Sequence, residues 1–266
     1  MFTTTKDLKN LVVRALDGEL GIVDQLYFDD QTWAIRYFTV ATGGWFGGTK
    51  VLIPPTSVTG ADWKSRRLDV ALTLKQVRQS PNIDTQKPVS RQQEGAYLSY
   101  YGYPYYWDEP NIRCPAFYPA GLTAPRYNSL AEREERIHRE PMDVHLCASD
   151  IVSGYHVQAA DGEIGHIDRF IVDDRTWVIR YLEVATQNWW PGKRVLLSPA
   201  WVERVCWRDL KVVVGVSRKA LRSCEEYIDG TPILRDYENR LKLHYGRPPY
   251  WINEAEPKSL HAVAGV

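Results

Sequence analysis

The 266-residue chain has no apolar run approaching the roughly 18 residues that a membrane-spanning helix needs. Its first residues carry Lys6, Asp7 and Lys9 where a secretory signal would place an apolar core. These two absences lead to the expectation of a cytoplasmic chain with no transmembrane segment. Cysteine is scarce: Cys114, Cys147, Cys206 and Cys224 form no CxxC pair. A chain of this size buries its own core, so free thiols are expected in place of a disulfide framework. Excess charge is lacking too. Lys and Arg number 33 and so do Asp and Glu, so no global field draws the chain to nucleic acid.

Signatures of chemistry are equally thin. The six histidines show no HExxH or other ligand spacing, and there is no GxSxG elbow. His145 and Cys147 lie two apart but lack further ligands. In Gly43–Lys50, Thr49 stands where a phosphate loop requires lysine. No catalytic residue, cofactor or metal is expected, and the chain is read as a non-enzyme.

What is present is a repeat. Asp17–Thr42 reads DGELGIVDQLYFDDQTWAIRYFTVAT and Asp161–Thr186 reads DGEIGHIDRFIVDDRTWVIRYLEVAT, with fifteen of 26 positions identical at an offset of 144. Trp45, Trp63 and Tyr106-Trp107 recur as Trp189, Trp207 and Tyr250-Trp251. The period is too long for a solenoid unit and long enough for a domain with its own core. The expected organisation is a first repeat at 6–107, a linker at 108–149, a second repeat at 150–251 and a flexible tail at 252–266. Within the linker, Glu132–Arg136 and Glu135–Arg139 are favourable pairs one helical turn apart and Pro141 is a stop, which predicts a short charged helix.

Each repeat reads as short strands separated by turns. Asp17-Gly18 is a hairpin signal. Gly21–Phe28 and Trp33–Val40 are rich in β-branched and aromatic residues. Leu68, Val70, Leu72 and Leu74 alternate with polar or small residues, as a half-buried strand does. Short helices are expected near Lys75–Gln79 and Arg218–Ser223, with a longer one over Arg91–Tyr101 whose Ser90 and Gln93 have capping-box spacing. Strands at this spacing predict a small barrel or closed sandwich.

The DGELGIVDQLYFDDQTWAIRYFTVAT stretch, the following WFGGTKVLIP and the strand leading into Lys75–Pro81 resemble the PRC-barrel family, whose barrel occurs in the reaction centre H subunit and in a ribosome maturation factor. The second copy carries the pattern in Asp161–Thr186 and GKRVLLSP, and the tandem resembles bacterial two-barrel proteins. The resemblance implies a mainly β fold with short helices, two tandem small barrels packed as a pseudo-dimer. It also implies a docking or assembly module that binds a macromolecular partner, expected to be a protein. Alternatives are a peripheral accessory of a photosynthetic or electron-transport membrane complex, a ribosome-associated adaptor, and a small-ligand-binding protein. Peripheral membrane association and further homo-oligomerisation stay open.

Two sets of side chains are singled out. Aromatics dominate contact surfaces, so Trp45, Phe46, Trp189, Trp190, Tyr101, Trp107, Tyr245 and Trp251 are candidates for the contact between repeats or with a partner. Asp24 and Asp168 recur mid-strand, as do Arg36 and Arg180, and cross-strand ion pairs between them are expected. The Asp29-Asp30 and Asp173-Asp174 doublets are read as turn chemistry.

Overall fold

The computed structural model describes residues 1–43, 48–81, 91–103, 105, 146–186, 193–247 and 251. The first half runs through β1 (Phe2–Thr4), α1 (Thr5–Leu8), β2 (Val12–Ala15), β3 (Gly18–Asp29), β4 (Ile35–Ala41), β5 (Lys50–Ile53), β6 (Val58–Asp62), β7 (Arg67–Val70), α2 (Leu74–Arg78) and α3 (Arg91–Tyr101). The second half repeats this order as β8 (Leu146–Ala148), α4 (Ser149–Val152), β9 (His156–Ala159), β10 (Gly162–Asp173), β11 (Val178–Thr186), β12 (Lys193–Leu197), β13 (Val202–Cys206), β14 (Lys211–Val214), α5 (Arg218–Ser223) and α6 (Arg235–Tyr245). The protein is mainly β, and no helix among the described residues exceeds 11 residues. The charged helix expected near 131–141, Ser90 and the tail lie outside the described residues. Leu146–Ala148, expected as the end of a linker, is a strand.

Each half forms a seven-stranded mixed sheet. One has the order β5-β4-β3-β2-β7-β6 with β8 added to β3, and the other β12-β11-β10-β9-β14-β13 with β1 added to β10. The pairs β2–β7 and β9–β14 are parallel and the rest antiparallel. The expected closed barrel is corrected here: neither β5 and β6 nor β12 and β13 pair, so both sheets are open. The reason lies in the connection. A 3-10 turn at Pro55–Ser57, and its counterpart at Pro199–Trp201, turns a corner between the two strands. Proline supplies no backbone donor, so pairing cannot run through that corner.

The recurring DG and DD motifs have concrete structural uses. Asp17 Oδ1 accepts the backbone N–H of Leu74 at 2.7 Å, and Asp161 Oδ1 that of Arg218 at 2.6 Å, so each hairpin turn caps the helix that follows its sheet. Asp29 Oδ1 accepts from the N–H groups of Gln31 and Thr32, and Asp173 Oδ1 from that of Arg175. These are the turn roles expected of the doublets. Thr73 and Gln76 form a full capping box on α2, while Leu234 gives α6 no side-chain cap.

The two halves exchange strands. In β1–β10, Phe2 pairs with Asp173 and Thr4 with Ile171. In β8–β3, Leu146 pairs with Asp29 and Ala148 with Tyr27. Adding 144 to one set of numbers, and subtracting it from their partners, yields the other. Contact i–j is mirrored by contact j–i, as in an isologous dimer. Between them, β4 and β11 meet at the bridge Ala34–Val178. There Ile35 N–H donates to Trp177 O at 2.7 Å and Ile179 N–H to Trp33 O at 2.8 Å. One hydrophobic cluster runs through both halves. The chain is a pseudo-dimer.

This docking explains why the faces of Gly21–Phe28 are hard to assign from sequence. Leu26–Asp29 are buried in succession, and so are Ile35–Val40. One face of each strand lines its own core and the other is covered by the exchanged strand or a helix, so alternation disappears.

Candidate interaction surface

Among the described residues, the contact between halves includes Phe28, Trp33, Phe38, Phe170 and Trp177. Trp33 and Trp177 sit at positive φ, 58° and 54°, just before the bridge. Trp33 stacks on Phe28 at 5.3 Å between ring centroids. Phe28 lies 5.5 Å from Phe170 of the other half, and Trp177 meets Phe38 edge-on at 5.0 Å. Bulky residues are uncommon at positive φ, so this conformation is imposed by tertiary packing. A sequence signal was available: both copies carry Trp directly after the turn motif, where the strand reading absorbed it.

Of the expected contact residues, Trp45, Phe46, Trp107, Trp189 and Trp190 lie outside the described residues. Tyr101 packs within its own half, against Tyr97 and Tyr103. Tyr245 packs on Trp201 of its own half at 4.5 Å. Trp251 lies under Arg235 and Lys242 of α6, at 4.0 and 4.3 Å from its ring centroid. The structure therefore brings these three onto the C-terminal helices of their own halves.

The four recurring charges all sit in ion pairs, with partners other than one another. Asp24 pairs with Lys50 at 2.8 Å and Arg36 with Asp29 at 3.4 Å. Asp168 pairs with Arg194 at 3.3 Å and Arg180 with Asp173 at 3.6 Å. Asp24 lies beside the Val23–Val40 and Gln25–Thr39 pairs, and Arg36 beside Tyr27–Tyr37 and Phe28–Ile35, so the two sit several residues apart along the ladder, as do Asp168 and Arg180.

Two duplicated features were missed at the level of sequence. Tyr37 Oη donates to Glu94 Oε1 at 3.0 Å, and Tyr181 Oη to Glu238 Oε1 at 2.7 Å. All four residues are buried, and each pair ties a C-terminal helix to its sheet. Phe2 of the exchanged strand packs edge-on against Tyr181. The signal was the recurrence of Glu94 as Glu238 at the same offset, weak in a poorly matching stretch.

The second half departs from the first at Gln25/Arg169, Thr39/Glu183 and Lys50/Arg194. Glu183 is fully buried. It accepts from Arg169 Nε at 2.7 Å and Nη2 at 3.1 Å, and from Arg194 Nη1 at 2.8 Å. Arg169 also holds Asp229 at 2.7 Å. Lys193 Nζ donates to the carbonyls of Arg222 and Cys224, and Tyr227 N–H donates to Arg194 O. Residues 222–230 are thus strapped across β10–β12 by cations from the sheet.

The strap is pH-sensitive in a defined direction. The hydrogen bond from Arg169 holds the Asp229 carboxyl below the usual carboxylate range. A depressed carboxylate contributes stability above its unfolded pKa and loses it as pH falls through the folded one. Acidification below the ordinary aspartate range is therefore expected to lower the protection factor of the Tyr227 amide, its exchange rate being compared with the intrinsic rate at the same pH. Asp229→Asn should show that loss of protection already at neutral pH. Equal exchange in both proteins at neutral pH would remove Asp229 from the strap's support.

The halves also differ on their surface. Arg66 Nη2 donates to the carbonyls of Lys9 at 2.9 Å and Asp7 at 3.4 Å, closing a polar junction between α1 and the β6–β7 turn. At the matching positions the second half has Leu210, Ser153 and Ile151. Ile151 is 61 % exposed, Leu210 52 % and Trp207 39 %, while the matching Trp63 is partly buried against the core. Trp207 is braced edge-on by Tyr155 at 6.0 Å. Where the first half has an arginine on main-chain carbonyls, the second exposes a face of apolar side chains. Such a face with a rigid tryptophan has the composition of an interaction site.

Residues 4–73 match the family model for the PRC-barrel domain. That model does not match the second half, which repeats the sheet order and register 144 residues on. No curated protein matches the chain.

Proposed function

We propose, for a chain whose residues 4–73 are a PRC-barrel domain and whose second half repeats that fold, that it is a non-enzymatic assembly module. It docks a protein partner on the apolar face of Ile151, Trp207 and Leu210. The observation that carries this reading is the asymmetry of that face. The duplicated core keeps the exchanged strands and the Tyr–Glu pairs in both halves, yet the charged Asp7 and Arg66 of one half are the exposed Ile151 and Leu210 of the other. Exposed apolar side chains gain nothing in water, and burying Leu or Ile contributes about 1.5–3 kcal/mol each. A desolvated tryptophan at the centre is the usual anchor of such contacts. The rigid pseudo-dimer holds the face at one position, so little ordering cost is left for association. No helix among the described residues is long and apolar enough to cross a membrane.

The test borrows the first half's own chemistry. The double substitution Ile151→Asp and Leu210→Arg places at these positions the residues that the first half carries there, Asp7 and Arg66, whose guanidinium donates to main-chain carbonyls of Asp7 and Lys9. On a density gradient of host lysate, the tagged natural protein is expected to co-sediment with a larger assembly and the double variant to run free. Identical sedimentation of the two proteins would overturn the assignment of the face.

A further inference from the structure

The dense tyrosines of the first half form a connected series. Tyr37 meets Tyr97 edge-on at 5.6 Å between ring centroids, Tyr97 lies 4.9 Å from Tyr101, and Tyr101 lies 4.8 Å from Tyr100. Tyr103 stacks on Tyr101 at 5.8 Å. The series runs from Tyr37, which is 1 % exposed, to Tyr100, which is 40 % exposed. The end members differ in chemistry as well as in burial. Tyr100 Oη donates to the Gln76 carbonyl and Tyr97 Oη to the Leu52 carbonyl. Tyr37 Oη donates to a carboxylate instead, that of Glu94.

We propose that Tyr37, Tyr97, Tyr101 and Tyr100 are a one-electron relay that delivers oxidising equivalents from the surface to a stored tyrosyl radical at Tyr37. Losing an electron makes a phenol strongly acidic, so the radical is stable only where its proton has an acceptor in hydrogen-bond reach. A backbone carbonyl cannot take that proton, but a carboxylate can. A surface one-electron oxidant, such as an oxidising radical or a high-potential metal complex, removes an electron from Tyr100. The vacancy passes inward through Tyr101 and Tyr97. At Tyr37 the O–H bond breaks, its proton moves to the Glu94 carboxylate, and Tyr37 is left as a neutral radical beside a carboxylic acid. An electron returning from a surface reductant reverses each step. Burial of Tyr97, Tyr101 and Tyr103 keeps their own phenols protonated, with Tyr103 pushed up to about 12 by burial and by Tyr101 beside it.

The second half is an internal control. It keeps the terminal pair as Tyr181 and Glu238, but Leu241 stands where the first half has Tyr97, and His244 where it has Tyr100. The storage pair is there duplicated without its path.

The test is flash oxidation of the full chain by photogenerated ruthenium(III) tris-bipyridine, with persulfate as electron acceptor, read by electron paramagnetic resonance. The natural protein is expected to show a long-lived tyrosyl radical. Tyr37→Phe, which removes only a hydroxyl, should lose it and leave a short-lived surface signal. Glu94→Gln should lose it with circular dichroism unchanged. Tyr97→Leu, the second half's own residue, should cut the yield at least severalfold, and Tyr181→Phe should leave the signal intact. Natural yield and lifetime in both Tyr37→Phe and Tyr97→Leu, or loss in Tyr181→Phe, would overturn the relay. The sedimentation test of the apolar face is independent of every one of these results.

Discussion

Replacing Glu183 by alanine lowers stability by about 3–5 kcal/mol, the usual result of leaving one member of a buried ion pair behind. Arg169 would keep its buried guanidinium with only the half-exposed Asp229 for company. Burial works against its charge, and the hydrogen bonds it donates to Glu183 and Asp229 overcome that and raise its pKa. Thr39 occupies the same position in the first half. It is fully buried, and its Oγ1 has no hydrogen-bond partner. A buried hydroxyl without a partner carries its desolvation cost already, so Thr39→Ala is expected to change stability by less than about 1 kcal/mol. Urea unfolding of the two variants decides the matter. The shared core predicts one transition in each, with the midpoint displaced strongly in Glu183→Ala alone. Equal displacements would mean that the Arg169–Glu183 pair contributes no more than ordinary packing.

Gly21→Ala and Gly165→Ala are expected to cost about 3 kcal/mol or more each, at the upper end of overpacking effects. A Cβ on Gly21 would lie 2.1 Å from the carbonyl oxygen of Ala41, and one on Gly165 2.0 Å from that of Ala185. The obstructing atom is main chain in a neighbouring strand, so no side-chain rotation relieves the clash. The pair β3–β4 or β10–β11 must open at the point where the long strand passes from one neighbour to the next. Gly60 is the matched comparison, since a Cβ there meets nothing within 4 Å. Gly60→Ala should shift the thermal midpoint little, within the ±0.5 kcal/mol typical of surface changes. A similar small shift for Gly21→Ala would show that the strands separate there at no cost.

These two expectations separate what could be read along the chain from what could not. The glycines at 21 and 165 recur in the repeat, and their recurrence alone marks a constrained site. The partner of Glu183 could not be read. Arg169 is fourteen residues away and lies opposite only because β10 carries a bulge between Ile167 and Arg169. Asp24 and Arg36 were legible as recurring charges, yet the β3–β4 register sets them several residues apart, and they pair with Lys50 and Asp29. Pairing depends on register, and one extra residue in a strand reassigns every facing side chain beyond it.

The strands β1 and β8 show the same limit more sharply. Three residues are too few for a period-two pattern, so Phe2–Thr4 and Leu146–Ala148 carry no local mark of being strands. They become strands because the exposed edges of β10 and β3 accept them, each from the opposite half. The aromatic contacts follow suit. The sequence shows that tryptophans recur, but only the docked halves place Trp33 and Trp177 at the junction.

By itself the sequence determined the duplication, the turn and cap residues, the mainly β character and the PRC-barrel resemblance. All of these rest on local chemistry: Asp and Gly favour particular backbone angles, and β-branched residues favour pleated surfaces. Tertiary structure alone decided the exchange of strands, the open sheets, the ion-pair partners and the apolar face at Ile151, Trp207 and Leu210. Each of those depends on which surface meets which across more than a hundred residues of chain, and that is settled by burying one shared core.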